Sequence, residues 1–310
     1  MTTYSTTTTP AFDGTGLHTN IWTPDGDPAG AVVIAHGMAE HAVRYAPLAE
    51  ELAQAGFAVY AHDHRGHGRT ASSMTDLGFF ADHDGWAKVV GDLGTVVRRA
   101  HVEHPGIPVV LLGHSMGSLL ARSFALDHSQ DIDALVLSGT AGDPGVLGKV
   151  GLALARVEAR LLGRRHPSRL LNTLSFGSFN KRFAPNRTEF DWLSRNEATV
   201  DAYIADPFCG VVPSAQFFVD MLGGVHSIND DASVGRVRDD LPILLVAGGN
   251  DPVGDDGRGV TAVRDQFARS GVRDLTLKLY PGARHEIFNE TNADEVIGDV
   301  VAWVEEHTTR

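Results

Sequence analysis

The pattern that most limits how this chain can fold is a series of six short runs rich in valine, isoleucine, leucine and alanine, at 31–35, 57–61, 109–112, 134–138, 243–247 and 275–280. A strand with one wet face alternates apolar and polar residues. A near-continuous apolar run belongs to a strand covered on both faces, the condition of a parallel sheet between helical layers. The intervals carry the helices such a sheet requires. Residues 45–56 place Leu48, Leu52 and Ala55 on one face and end on Gly56, a helix stop signal. Residues 85–103, 116–128, 260–270 and 293–306 read as further helices. The chain is therefore expected to be an α/β protein with a mostly parallel, doubly wound sheet, led by an antiparallel edge built from residues 16–22.

One interval breaks this rhythm. About a hundred residues separate Ser138 from Leu241, whereas a parallel crossover needs only about a dozen, and a structureless loop of that length is foreign to a compact domain. An inserted helical cap is the expectation, with 1–141 and 241–310 as two parts of one core and 142–240 as the insert. Within it, 146–162 reads as a helix with Val146, Val150, Leu154, Val157 and Leu161 on one side and Lys149, Arg156 and Arg160 on others, continuing through Phe176, Phe179 and Phe183. Packing onto the core is the first expectation for this stripe. The second, compatible with it, is a mobile lid whose apolar face lines a substrate pocket, with Leu154 and Phe179 as lining residues.

The chemistry begins at Gly113-His114-Ser115-Met116-Gly117, directly behind one apolar run and ahead of a helical pattern. A small-x-Ser-x-small sequence between a buried strand and a helix is a nucleophile elbow, in which a tight turn aims the serine hydroxyl outward. A serine hydroxyl needs a histidine to take its proton and an acid to orient that histidine, and in this topology the chain order is Ser, Asp or Glu, His. His285 follows the last apolar run and Asp251 the one before it, both at the strand ends where reacting groups gather in open parallel sheets. Asp255, Asp256 and Asp143 remain alternatives for the acid, and Glu286 reads as a surface or supporting group. An oxyanion hole needs the amide after the nucleophile, that of Met116, and a second amide from the loop after the first run, for which Met38 is chosen.

Taken in order, His36-Gly37-Met38-Ala39-Glu40-His41-Ala42-Val43-Arg44-Tyr45, His62-Asp63-His64-Arg65-Gly66-His67-Gly68, the elbow, Asp251 and His285-Glu286 resemble the monoacylglycerol lipase and lysophospholipase branch of the α/β-hydrolase superfamily. The resemblance runs from about residue 31 to the C-terminus and is weakest across the cap. It implies the α/β-hydrolase fold, Ser115, Asp251 and His285 as triad, Met38 and Met116 as oxyanion donors, and Glu40 and Arg44 as braces of the entrance loop. His36 and His114 fall beside these residues as supporting groups. The pattern departs at Ala39, where a glycine is usual, at Ser118 and at Thr70.

Other classes are disfavoured. With 26 basic against 39 acidic residues the net charge is −13, which opposes a phosphate backbone as partner, so no nucleic acid is expected. Cys209 is the single cysteine, which excludes an intrachain disulfide and gives no sign of an oxidising compartment. Residues 1–9 lack the basic and apolar segments of a signal peptide, and no apolar run approaches the roughly twenty residues that span a bilayer. A cytoplasmic protein is expected. The histidines at 62, 64 and 67 imitate a metal motif, but Gly66 stands where such a motif needs aspartate, so neither metal nor cofactor is expected. The function expected is hydrolysis, through an acyl-enzyme, of a small-molecule ester with an apolar acyl group, with transient contact to a lipid interface. A lysophospholipase, thioesterase or peptidase with the same triad, or a non-catalytic ligand-binding relative, is the alternative.

Overall fold

The structure is a computed structural model and describes residues 2–308. An eight-stranded sheet runs through its centre, formed by β1 (Thr3–Pro10), β2 (Gly16–Thr23), β3 (Gly30–Ala35), β4 (Phe57–His62), β5 (Val109–His114), β6 (Ala134–Ser138), β7 (Ile243–Gly248) and β8 (Leu275–Tyr280). The strand order is β1-β2-β4-β3-β5-β6-β7-β8. β1 pairs antiparallel with β2 and β2 antiparallel with β4, and all other neighbours are parallel. This is the α/β-hydrolase fold. The helices are α1 (Ala46–Gln54), α2 (Gly85–Glu103), α3 (Met116–His128), α4 (Gly145–Leu162), α5 (Arg169–Phe176), α6 (Glu197–Ala205), α7 (Ala215–Ile228), α8 (Asp231–Val234), α9 (Arg258–Arg269) and α10 (Ala293–Thr308).

The continuous apolar runs are explained by the two cores. Successive strand side chains point to opposite faces, so Ala31, Val33, Val109 and Leu111 join one core with α2, α3, α7 and α9, while Val32, Ile34, Val110 and Leu112 join the other with α1 and α10. A strand between two such layers has no wet face, and every residue of β3, β4, β5, β6 and β7 is buried.

Two features depart from the sequence reading. The threonine-rich start of the chain is an edge strand, β1, paired with β2 from Thr3↔Thr23 to Pro10↔Gly16. The apolar stripe of α4 packs onto the core only at Leu154: Val146, Val150, Val157 and Leu161 are 53% to 75% exposed. The helix instead packs against α7 through its small residues, with Gly151 close to Leu222 and Ala155 and Ala159 buried. Small side chains let two helix backbones approach, and that contact leaves the larger apolar residues facing outward. Arg122 on α3, fully buried, ties both ends of the long β6–β7 interval together, donating to Ala141 O at 2.9 Å, Ile228 O at 3.1 Å and Asn229 Oδ1 at 2.9 Å.

Candidate active site

The loops after the carboxyl ends of β3, β5 and β8 converge on one cavity of about 360 Å³, with the end of β7 behind them. At the end of β5 the chain turns so sharply that Ser115 takes φ 51° and ψ −119°, a strained conformation for a residue with a side chain. The two flanking glycines are required by proximity. A Cβ on Gly113 would lie 2.3 Å from Gly117 O, and one on Gly117 would lie 2.0 Å from Ala35 O. The turn projects the Ser115 hydroxyl into the cavity and makes Met116 the first residue of α3. That position carries an amide with no acceptor inside the helix and the positive end of its dipole.

Ser115 Oγ lies 2.9 Å from His285 Nε2, and His285 Nδ1 lies 2.9 Å from Asp251 Oδ2. Asp251 is fully buried, and its second oxygen accepts the Val253 amide at 2.8 Å. Burial works against a charge on His285, but Asp251, Glu286 and Glu40 outweigh it and raise the imidazole above its ordinary value. The other three aspartates point elsewhere. Asp255 is paired with Arg258, Asp256 with Arg182, and Asp143 accepts the Gly145 amide on the surface.

Met38 lines the cavity in the loop after β3, and His114 does so beside His285, at 4.8 Å between ring centroids. His36 lies fully buried beneath that loop. Its Nε2 accepts the His64 amide at 2.9 Å, which leaves Nδ1 to donate to Gly37 O at 2.7 Å. Glu40 holds the loop by accepting from Gly37 N at 2.6 Å, Tyr45 OH at 2.7 Å and Arg44 Nη1 at 2.6 Å. Burial pushes its carboxyl up, against the pull of Arg44. Arg44 also grips Glu286 through two contacts of 2.6 Å. Glu286 is thus a buried group that links the His285 loop to the Met38 loop, not a surface residue.

The 142–240 segment supplies the other wall, with Phe176, Phe190, Trp192, Leu193, Tyr203 and Val211 on the cavity. Leu154 and Phe179 do not line it. Leu154 packs onto the main core, and Phe179 stands behind Phe176 and Trp192 at ring distances of 5.7 and 5.3 Å. Sequence spacing assigned these two to the pocket because it located the apolar residues of the segment without their facing. The same wall also grips the His285 loop. The Glu286 amide donates to Leu193 O at 2.8 Å, Arg284 donates to Asp191 O and Ser194 O, and the Trp192 ring lies 5.3 Å from that of His285.

The histidines of the 62–67 segment form no three-ligand group among the described residues. They are buried and neutralised by desolvation, with His62 and His67 pushed down to about 4. No helix of the described residues is long and apolar enough to cross a membrane.

Fold and site geometry together define an α/β-hydrolase of the serine-nucleophile type. The chain belongs to the family described as serine aminopeptidase, S33, whose model matches residues 26–292. It is 34% identical to the monoacylglycerol lipase of Mycolicibacterium smegmatis over 309 residues, covering 98% of this chain and 99% of that protein. Among solved structures it is similar to a highly thermostable carboxyl esterase from Bacillus coagulans in complex with glycerol, with a TM-score of 0.90, 29% identity and 99% of each chain covered. A lipase in an open form matches with a TM-score of 0.87 and 29% identity, over 99% of this chain and 100% of that one. With these relatives the chain is a carboxylic-ester hydrolase.

Proposed function

We propose that this enzyme hydrolyses monoacylglycerol-like esters through an acyl-enzyme formed on Ser115. The observation that carries the reading is the unbroken contact from Ser115 Oγ through His285 to buried Asp251, opening onto a cavity walled by Phe176, Trp192 and Leu193. His285 takes the hydroxyl proton as Ser115 Oγ attacks the ester carbonyl. The resulting oxyanion is held by the amides of Met116 and Met38, and the imidazolium beside Asp251 returns its proton to the leaving alcohol. Water then repeats the sequence on the acyl-enzyme. An apolar wall of this size suits an acyl chain, and the polar end beside Ser115 suits a small polar alcohol.

Residues 142–240 act as the cap in this reading, and their outer face as a transient docking surface for a lipid interface. The exposed stripe of α4 supports that role, as does the charge of the stretch 145–182, where eight lysines and arginines stand against one glutamate in a chain of net −13. An amphipathic helix with basic residues beside its apolar face lies in an interface. The single cysteine supports a cytoplasmic location. The family description names an aminopeptidase, which must hold a substrate ammonium. Two of the cavity's three carboxylates, Glu40 and Glu286, are already taken by Arg44, and Glu189 is exposed.

The test is a panel of monoacylglycerols and p-nitrophenyl esters of graded chain length beside amino-acid p-nitroanilides. Ester turnover that rises with acyl length, with no turnover of the anilides, is expected. Faster cleavage of the anilides overturns the reading in favour of a peptidase.

A further inference from the structure

The loop 36–41 and the segment 203–210 meet at the edge of the substrate cavity, which Ala39, Tyr203 and Gly210 also line. Ala39 O accepts from Gly210 N at 2.9 Å and from Tyr203 OH at 3.0 Å. At this seam His41 Nε2 lies 2.8 Å from Asp206 Oδ2, and Cys209 joins them, so that one ligand atom of each lies within 4.8 Å of the other two. None of the three lines the substrate cavity. His41 and Asp206 instead open onto a separate cavity of about 500 Å³ with His18, Asp63 and Arg69 on its wall.

We propose that His41, Asp206 and Cys209 form a binding site for a thiophilic divalent cation of the zinc class, which clamps the 203–210 segment to the loop that carries Met38. The donor set decides the class of ion. One imidazole nitrogen, one carboxylate oxygen and one thiolate sulfur suit zinc, whereas magnesium and calcium require oxygen cages. Bonds of about 2.0–2.3 Å in tetrahedral geometry place donor atoms about 3.3–3.7 Å apart. The His41–Asp206 contact is 2.8 Å and all three donors lie within 4.8 Å of one another, so side-chain rotation completes the site and water takes the fourth position.

The backbone already holds two of the ligands together. The Cys209 amide donates to Asp206 O at 3.1 Å, and the Phe208 amide donates to Asp206 Oδ1 at 2.8 Å. This turn sets Cys209 beside Asp206 and leaves Asp206 Oδ2 for the ion. The surrounding charge is also favourable. Glu40, Glu286, Asp206 and Asp63 bring four carboxylates to the region against the guanidinium groups of Arg44 and Arg69. On binding, the Cys209 thiol releases its proton to solvent, and the His41 proton that now meets Asp206 Oδ2 moves from Nε2 to Nδ1, which frees Nε2 and Oδ2 to coordinate. No redox change or further reactant is involved. The clamp reaches the active site through Ala39, whose neighbour Met38 is the proposed oxyanion donor.

The test uses the intact protein and does not depend on its substrate. Because Cys209 is the only cysteine, the ultraviolet charge-transfer band of a Cd²⁺–thiolate bond reports this site alone. A Cd²⁺ titration is expected to saturate that band at one equivalent, and Zn²⁺ to remove it by competition. Cys209→Ser should abolish the band, and His41→Gln and Asp206→Asn should each weaken the affinity at least tenfold. Zn²⁺ should raise Tm in the parent protein and not in Cys209→Ser. Near-ultraviolet circular dichroism establishes that each variant is folded, and either of the two weaker variants suffices. No band at one equivalent overturns the proposal, and so does a band of unchanged affinity in the folded His41→Gln or Asp206→Asn protein, since the thiol then binds alone.

Discussion

The sheet with its flanking helices and the 142–240 segment obey the same chemistry with opposite results. In the sheet, the apolar runs of β3, β4, β5, β6 and β7 are buried on both faces. In the segment, Val146, Leu147, Val150, Val157, Leu161, Leu162, Leu170 and Leu174 are all more than half exposed. The sheet is covered because its helices lie on both sides of it, whereas α4 meets its neighbour through small residues and leaves its large ones to solvent. The difference separates two tasks. The strand ends hold Ser115, His285 and Asp251 within hydrogen-bonding distance of one another, and in the reading proposed above the exposed face of the arm meets a lipid interface. The segment is not uniform, however. Its 190–195 stretch is hydrogen-bonded to the His285 loop, and α4 and α5 place Ala155 and Leu171 in the core, so the part left to solvent is the outer face of that arm.

The largest effect expected from that division is chemical. Ser115→Ala should lower kcat by about 10⁴- to 10⁶-fold on every ester, short or long, while leaving the fold intact. Single-turnover assays with acetate and long-chain esters check this. A loss confined to long-chain substrates would place part of the chemistry in the segment and break the comparison.

Next in size is an acid limit on the core. Desolvation pushes His62 and His67 from the ordinary 6.5 down to about 4. Above pH 6.5 both folded and unfolded states hold these rings neutral and the stability is fully present. As pH falls from 6.5 towards 4 the unfolded state takes up protons that the folded state refuses, so stability is lost. The loss is roughly 3 kcal/mol for each ring. Both His62 ring nitrogens are buried without a partner, so His62→Leu removes its share without orphaning a hydrogen bond. Urea unfolding at pH 7.5 and pH 5 should show a smaller acid penalty in the variant than in the parent. An equal penalty in both would move the acid-sensitive group elsewhere.

The outer arm supplies a smaller and more selective effect. Leu147 and Leu161 are 82% and 75% exposed, so Leu147→Asp with Leu161→Asp should leave Tm and p-nitrophenyl acetate turnover unchanged. It should lower turnover of emulsified monoacylglycerol by about tenfold, equivalent to about 1.4 kcal/mol of interfacial affinity. Equal loss on both substrates would mean that these leucines pack onto the core after all.

The same contrast explains what the sequence revealed. The internal strands were legible to within about two residues because burial on both faces leaves a local apolar signature. The meeting of Ser115, His285 and Asp251 was legible because each follows such a strand. β1 was not, since an edge strand exposed on most of its length carries only a threonine bias and no apolar alternation. The stripe of α4 was found, but periodicity gives the width of an apolar face and not its direction. For Glu286 the sequence left surface and supporting roles open, because its partner, Arg44, lies 242 positions away, a contact that no local pattern encodes. Arg122 and the seam at Cys209 escaped for the same reason.

The smallest expected effect falls at the point where the two regions touch. Ala39 sits at φ 55°, a left-handed conformation that costs a non-glycine residue about 1–2 kcal/mol. It is held there by Tyr203 and Gly210 from the segment, which both donate to its carbonyl. Ala39→Gly removes the steric cost but adds about 0.5–1 kcal/mol of backbone entropy to the unfolded chain. The two nearly cancel, with a net gain in stability of up to about 1 kcal/mol expected, since the strain is the larger quantity. Because the methyl group also borders the cavity, kcat/KM should rise slightly for esters with a bulky alcohol and stay within about twofold for p-nitrophenyl acetate, a difference below about 0.5 kcal/mol. Thermal unfolding and the two-substrate ratio measure these effects separately. A fall in Tm would show that the methyl group packs more favourably than its backbone is strained, and the segment would then hold the Met38 loop through apolar contact as well as through the Ala39 carbonyl.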